Sequence, residues 1–235
     1  MNILTLKFGT KYGPEYVNRL YSGIKRNTSV DFNFYCYTDN KDQLNPEIKI
    51  IDLDPSIDTH WQKLEFHKKG FMPEGSKCLI LDIDWVVTGN LDSLLSYHLK
   101  HRHFATVSRW WSQTQNACAL HGGIQMFYNG DTDSLWKIYQ KDPEYWREYF
   151  YRNKVVTIQG MGEQNFIKRH MLLPVQWMPE KWFGRFASDA GIQQMIQENW
   201  NHRINNYDPY FIGNKLNEQI KMVHFTSDFV LETND

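Results

Sequence analysis

The feature that most constrains this chain is an apolar strand that ends in two acids. Cys78-Leu79-Ile80-Leu81 is a short continuous apolar run, the pattern of a strand buried on both faces. Asp82-Ile83-Asp84 follows at once. A strand covered on both faces belongs to a sheet with helices on either side, and such sheets are mainly parallel. Two carboxylates at its end need solvent, a cation or hydrogen bonds to compensate them, because an unpaired buried charge is expensive. Their spacing puts both side chains on the same side of an extended backbone. Carboxylate oxygens are hard ligands and suit Mn2+ or Mg2+. Taken alone the tripeptide is common, and it also fits a strand that simply emerges into a polar turn.

The flanking sequence predicts an α/β fold. Residues 2–8 (NILTLKF) alternate and read as a strand. Pro14 opens a helix where its missing N–H is tolerated, and Val17, Leu20, Tyr21 and Ile24 give it an apolar face. Phe32, Phe34, Cys36 and Thr38 alternate as a second strand, ended by the turn signal Asp39-Asn40. Lys49 to Ile51 is a short third strand, and Trp61 to Lys69 reads as helical. After the acids, Asn90 is a plausible N-cap for a helix carrying Leu91, Leu94 and Leu95. Further on, 121–127 reads as a strand, 131–140, 143–152 and 162–170 as helices, and Met222 to Phe225 as a last strand. This order implies a mainly parallel, doubly wound, Rossmann-like sheet flanked by helices, with ligands beyond the carboxyl ends of its strands. Phe8 to Tyr12 and Asp82 to Asp84 then meet on that edge. With no linker, repeat or low-complexity stretch, the expectation is one domain over 1–235.

Composition excludes several partners. Lys and Arg total 26 against 27 Asp and Glu, a formal net charge of −1. There is no global electrostatic reason to bind nucleic acid or an anionic membrane. No run approaches the roughly 20 apolar residues of a membrane span. The N-terminus reads as a strand and lacks the basic start of a signal peptide. Cys36, Cys78 and Cys118 have no metal-ligand spacing, and Cys36 and Cys78 read as small buried hydrophobes in a reducing compartment. A cytoplasmic protein is expected.

Residues 81–95, LDIDWVVTGNLDSLL, resemble the Asp-x-Asp signature of GT-A-fold glycosyltransferases, most closely the branch that includes glycogenin and bacterial lipopolysaccharide galactosyltransferases. Weaker resemblances follow in family order. LKFGTKYGPEYVNRLYSGIKR fits the opening strand and helix, and Trp61-Gln62-Lys63-Leu64 stands where a basic phosphate contact is common. His121-Gly122-Gly123-Ile124-Gln125-Met126-Phe127 is similar to an "N-x-G" strand but offers His121 for its Asn. Gly162-Glu163-Gln164-Asn165-Phe166 is similar to a "D-Q-D" segment, and Val223-His224-Phe225 to a late "HF". The lysine that usually follows "HF" is missing: the chain reads Thr226-Ser227-Asp228 there.

The resemblance implies a metal-dependent transferase. It would move a sugar from a nucleotide-diphosphate donor, with a UDP-sugar favoured, to a hydroxyl on a glycan, lipid-linked or protein acceptor. It implies Mn2+ (or Mg2+) held by Asp82, Asp84 and His224, and donor contacts from Phe8, Tyr12, Lys63 and Asp82. Glu163 and Gln164 would lie near the anomeric carbon, and the outcome would be retention. Residues 1–100 would form the donor part and 101–235 mainly the acceptor side. Lys7 reads as a surface charge, while Trp110, Trp111 and Trp182 would pack in the core or line an acceptor groove. Two other classes fit parts of the pattern. LILDIDWVV also matches haloacid-dehalogenase-type phosphatases, with Asp82 as nucleophile and Asp84 as general acid. A non-catalytic carbohydrate-binding protein would use the aromatics but has no need of Asp82, Asp84 and His224.

Overall fold

Every residue of β1 (Asn2–Lys7) is buried, which places it inside a sheet and not at its rim. β1 pairs in parallel with β2 (Asn33–Thr38) on one side and with β4 (Lys77–Leu81) on the other. β3 (Lys49–Asp52) extends the parallel part beyond β2. On the far flank β7 (Ile124–Tyr128) runs antiparallel to β4, β6 (Phe104–Thr106) antiparallel to β7, and β8 (Val175–Trp177) parallel to β6. The seven-stranded order is β3-β2-β1-β4-β7-β6-β8, and β7 alone runs against the rest. The mainly parallel α/β sheet expected from the sequence is present. This computed structural model describes residues 1–54, 59–108, 118–187, 211–212, 215–216 and 219–226.

The alternation along β1 and β4 decides what covers each face. Ile3, Leu79 and Leu81 enter one apolar cluster with Val17, Leu20 and Ile24 of α1 (Pro14–Arg26). Leu4, Leu6, Cys78 and Ile80 enter a second cluster with Trp61, Phe66, Phe127 and Phe166. Neighbouring strand residues point to opposite faces, so an unbroken apolar run fills two cores at once. Pro14 sits in the first turn of α1, with Glu15 at its start and Lys25 and Arg26 at its end, as the helix dipole favours. Three further helices cross the chain's second half: α3 (Asp133–Tyr139), α4 (Pro143–Arg152) and α5 (Glu163–His170).

A smaller sheet carries the C-terminal segment back. β5 (Trp85–Val87) starts directly after Asp84, and β12 (Met222–Thr226) pairs antiparallel to it. β9 (Phe183–Ala187) lies parallel on the other side of β12. A short hairpin, β10 (Phe211–Ile212) with β11 (Lys215–Leu216), precedes it.

Three local expectations change. The helical reading of Trp61 to Lys69 becomes a 3-10 helix over His60–His67, with Thr59 as its N-cap. Six of its residues are buried around much of its circumference, so no one-sided α-helical stripe forms. The helix after the acids is one turn, α2 (Asp92–Leu95), and Asn90 precedes its N-cap, accepting from the Asp92 backbone N–H at 2.9 Å. Asp92 in turn ties this turn to α1's exit, accepting from Thr28 and Ser29. β7 begins at Ile124 and not at His121, because His121–Gly123 turn into the site. Cys36 and Cys78 are buried, as expected, and Cys118 is buried too; none of the three is in a disulfide.

Candidate active site

Asp82 stands one residue past β4, at the carboxyl edge of the parallel sheet, and its backbone N–H donates to the Gly123 carbonyl at 3.0 Å. The Asp82 side chain is 29% exposed and that of Asp84 22%, so both are only partly covered at the end of an otherwise buried strand. Lys63 comes up beneath them from the 3-10 helix. Its ammonium donates to both Asp82 oxygens, at 2.9 and 3.1 Å, and to the Gly122 carbonyl at 3.4 Å. It also lies 3.8 Å from Glu163 Oε2, at the start of α5. Trp61, fully buried and donating from its indole to the Gly160 carbonyl at 2.6 Å, anchors that helix.

His224 arrives from the opposite end of the sequence. The pairing of β12 with β5 sets it across from Trp85, and its Nε2 lies 3.2 Å from Asp84 Oδ1. The alignment is not that of a hydrogen bond: Asp84 Oδ1 and His224 Nδ1 are both buried without a hydrogen-bond partner. The Trp85 ring lies 4.9 Å from that of His224 and 5.2 Å from that of His121, and its indole N–H donates to the Gly123 carbonyl at 2.8 Å. The two imidazoles meet edge to face at 4.6 Å. His121 Nδ1 accepts from the Gly123 backbone N–H at 2.9 Å, which leaves the proton of the neutral ring on Nε2.

Two glycines permit this density. A Cβ on Gly123 would stand 2.8 Å from Asp82 Oδ2 and 2.9 Å from His121 Cε1. One on Gly122 would stand 3.0 Å from Glu163 Oε2 and 3.2 Å from Gln164 Cβ. The Gly122 N–H donates to Gln164 Oε1 at 3.3 Å.

Charge in the cluster is unevenly held. Burial works against the Lys63 ammonium, but Asp82 and Glu163 outweigh it and raise its pKa, so it stays charged. Burial and the repulsion of Asp84 raise Asp82 against the pull of Lys63. Asp84 is also opposed by burial, yet His224 beside it holds its carboxyl below the ordinary range. Glu163 is pushed up to about 7 by burial and by Asp82, against the pull of Lys63. Acids with separated proton affinities in one cluster are a mark of functional sites.

The residues fit a divalent cation in part. Among the described residues no three His, Cys, Asp or Glu side chains already enclose a metal position. Asp84 Oδ1, buried without a hydrogen-bond partner, nevertheless lies 3.2 Å from His224 Nε2, so a carboxylate oxygen and an imidazole nitrogen stand side by side. A carboxylate with an imidazole suits Mn2+ better than Ca2+. Asp82, by contrast, has both oxygens on Lys63 and would join a cation only in competition with that ammonium.

The other expected residues divide. Glu163 and Gln164 do meet the acid pair, through Lys63 and Gly122. Phe8 is half-buried against the second core, and Tyr12 packs edge-on to Tyr16 at 5.0 Å. Lys7 is not the surface charge expected: it is 5% exposed and reaches the Gly9 carbonyl at 3.5 Å. Trp182 lies half-buried against the first core, edge-on to Tyr97 at 5.9 Å with the Lys221 ammonium 5.2 Å from its ring. Trp110 and Trp111 lie outside the described residues. Sequence reasoning missed Asp39, which accepts from the Gly9 N–H at 2.8 Å while its Oδ1 stays buried without a hydrogen-bond partner. Its turn was legible, its partner 30 residues away was not. It also missed Trp85 and the buried pair His67 and Gln125, for which no local signal exists.

No family model matches the chain, and no curated protein matches it in sequence. Solved structures match it in fold. The galactosyltransferase LgtC, crystallised with donor and acceptor sugar analogues, gives a TM-score of 0.60 at 12% identity, over 96% of this chain and 87% of that one. The glycosyltransferase GlyE of Streptococcus pneumoniae TIGR4 gives 0.60 at 12% identity, and the match covers 96% of this chain but 54% of GlyE. Mouse xyloside xylosyltransferase 1 gives 0.52 at 12% identity, over 95% of this chain and 97% of that one. The chain therefore has the GT-A fold that its sequence led us to expect.

Proposed function

We propose that the chain is a metal-dependent glycosyltransferase that takes a sugar from a nucleotide-diphosphate donor, with a UDP-sugar favoured, and passes it to a hydroxyl acceptor. One observation carries the reading. Residues from four separate stretches, Lys63, Asp82 with Asp84, Glu163 with Gln164, and His224, converge at the carboxyl edge of a GT-A sheet. Ligands of open α/β sheets bind at that edge. Asp84 and His224 would hold Mn2+ or Mg2+, with Asp82 joining if Lys63 releases it. When bound, the cation neutralises the charge that develops on the departing diphosphate.

The protein's own groups then position and compensate. Lys63 keeps a permanent positive charge beneath the acid pair. The Gln164 amide, its oxygen held by the Gly122 N–H, has its NH2 end to offer a sugar oxygen. Glu163, on the same helix start, supplies a carboxylate whose charge is sensitive to pH near 7. Phe8 and Tyr12, after β1, would border the nucleotide. A retaining outcome and an acceptor side built from 101–235 belong to the same proposal. Among the described residues no helix is long and apolar enough to cross a membrane.

The rival chemistry makes the test sharp. An Asp82 nucleophile would form an aspartyl-phosphate, trapped by beryllium fluoride, and would turn over generic phosphomonoesters. Here both Asp82 oxygens are occupied by Lys63. The expected result is sugar release or transfer from one member of a nucleotide-sugar panel, dependent on Mn2+ or Mg2+ and abolished by chelation. Phosphomonoesters should remain untouched. Rapid phosphomonoester turnover with no response to any nucleotide sugar would overturn the proposal.

A further inference from the structure

Behind the cluster lies a polar chain sealed in the second core. His67 and Gln125 are both 0% exposed and Thr132 1%. His67 Nδ1 is 3.0 Å from the Thr132 hydroxyl, and its Nε2 is 3.0 Å from Gln125 Oε1. Gln125 Nε2 donates to the Gly122 carbonyl at 2.7 Å.

The directions of these bonds follow from one fixed point. The Gly122 carbonyl can only accept, so the Gln125 amide must turn its NH2 toward it. The amide oxygen then faces His67, which must donate from Nε2. Nδ1 is left bare and must accept from the Thr132 hydroxyl. Each group in the chain thus has one role. Burial pushes the His67 pKa down to about 3, so the ring remains a neutral single tautomer over the working range.

Gly122 is where the chain meets the site. Its carbonyl, in the peptide to Gly123, also accepts from Lys63 at 3.4 Å, and its N–H, in the peptide from His121, donates to Gln164 Oε1 at 3.3 Å. The Gln125 amide faces Glu163 as well, and that carboxylate's Oε1 is buried without a hydrogen-bond partner. The peptide between Gly122 and Gly123 joins two residues without side chains, whose backbone turns easily, and here its carbonyl is held from behind by a buried amide.

We propose that Thr132, His67 and Gln125 form a positioning relay that fixes the Gly122 carbonyl and, through it, the Gly122 backbone, and so holds Lys63 and Gln164 in register with the acid pair. The relay touches neither donor nor cation. Its catalytic consequence rests on the glycosyltransferase reading, whereas its hydrogen-bond directions do not. Outer-shell partners of this kind commonly control rates by about 10- to 100-fold.

The test has two arms. In the first, 15N NMR of the wild-type imidazole of His67 should show the proton on Nε2 alone, unchanged from about pH 5 to 9. A proton on Nδ1, or a mixture of tautomers, would overturn the relay. In the second, His67→Phe and Gln125→Met should lower kcat at least about tenfold with the donor KM within about threefold. His67→Gln, which can still donate to Gln125 and accept from Thr132, should recover most of the rate. Equal kcat in the Phe variant, or a Gln variant as slow as the Phe one, would overturn the positioning role. Should the apolar variants fail to fold, the comparison of His67→Gln with wild type and the imidazole spectrum still decide it. A wild-type chain that binds and turns over no nucleotide sugar would overturn the reading and the catalytic role together, with the spectrum still ruling on the relay.

Discussion

Asp84→Asn is expected to weaken nucleotide-diphosphate binding in the presence of Mn2+ by at least about a hundredfold, beyond the range usual for outer-shell changes, while the chain stays folded. Asp82 has both oxygens on Lys63, whereas Asp84 Oδ1 is buried without a hydrogen-bond partner and lies 3.2 Å from His224 Nε2. Asparagine keeps the shape but replaces an anionic hard ligand with a neutral amide. Losing one of two neighbouring carboxylates also relieves their repulsion, so the melting temperature should move by only a few degrees. Calorimetric titration of the nucleotide with and without Mn2+ checks both halves. An affinity equal to wild type would remove Asp84 from the cation site.

Lys63→Met should act in the opposite manner, chiefly on the fold. It leaves Asp82 and the 5%-exposed Glu163 facing each other without their shared cation. Breaking a buried ion pair from one side costs about 3–5 kcal/mol. For a chain of this size that is a drop in melting temperature on the order of 10 °C. The pH dependence carries a definite sign. An acid whose folded pKa lies above its unfolded value destabilises the fold as pH rises, beginning at the unfolded value and completing above the folded one. Glu163 already stands at about 7 with Lys63 present, and removing the ammonium raises it further. The deficit of the variant should therefore be largest above pH 7 and shrink toward pH 5. Thermal melts across that range would refute the account if the deficit were constant, or larger in acid.

β1, β2, β3, β4, β7, β12 and α1 were legible because each face of the sheet imposes a period on the chain, whereas β5, β6, β8, β9, β10 and β11 were not read, most of them being only two or three residues long. β4 is the clearest case, its four apolar residues shared between two cores. The reading of His60–His67 as α-helical failed where tertiary burial on several sides replaced a one-sided stripe. In the site, Asp82 and Asp84 announced themselves through the energetic oddity of acids at a buried strand end. His224 could be placed only through resemblance, since the register of β12 on β5 joins residues some 140 positions apart. Lys63 was legible as a charge near the acids, but not as their buried counterion. Lys7 misled in the same way, because sequence alone does not tell a buried ammonium from a solvated one. His67, Gln125 and Thr132 carry no local pattern at all, since their meaning lies in partners 58 to 65 residues away.

The central claim is that a cation held at Asp84 and His224 receives a nucleotide diphosphate at this sheet edge. A crystal structure grown with Mn2+ and a nucleotide diphosphate tests it most directly, with the anomalous signal of the metal as its marker. The account predicts one metal peak in contact with the Asp84 carboxylate and with His224 Nε2 at close to 2 Å, the usual length of a transition-metal–imidazole bond, and diphosphate oxygens on its open side. A His224 nitrogen more than about 3 Å from the ion, or a nucleotide bound away from Asp82 and Asp84, would contradict it.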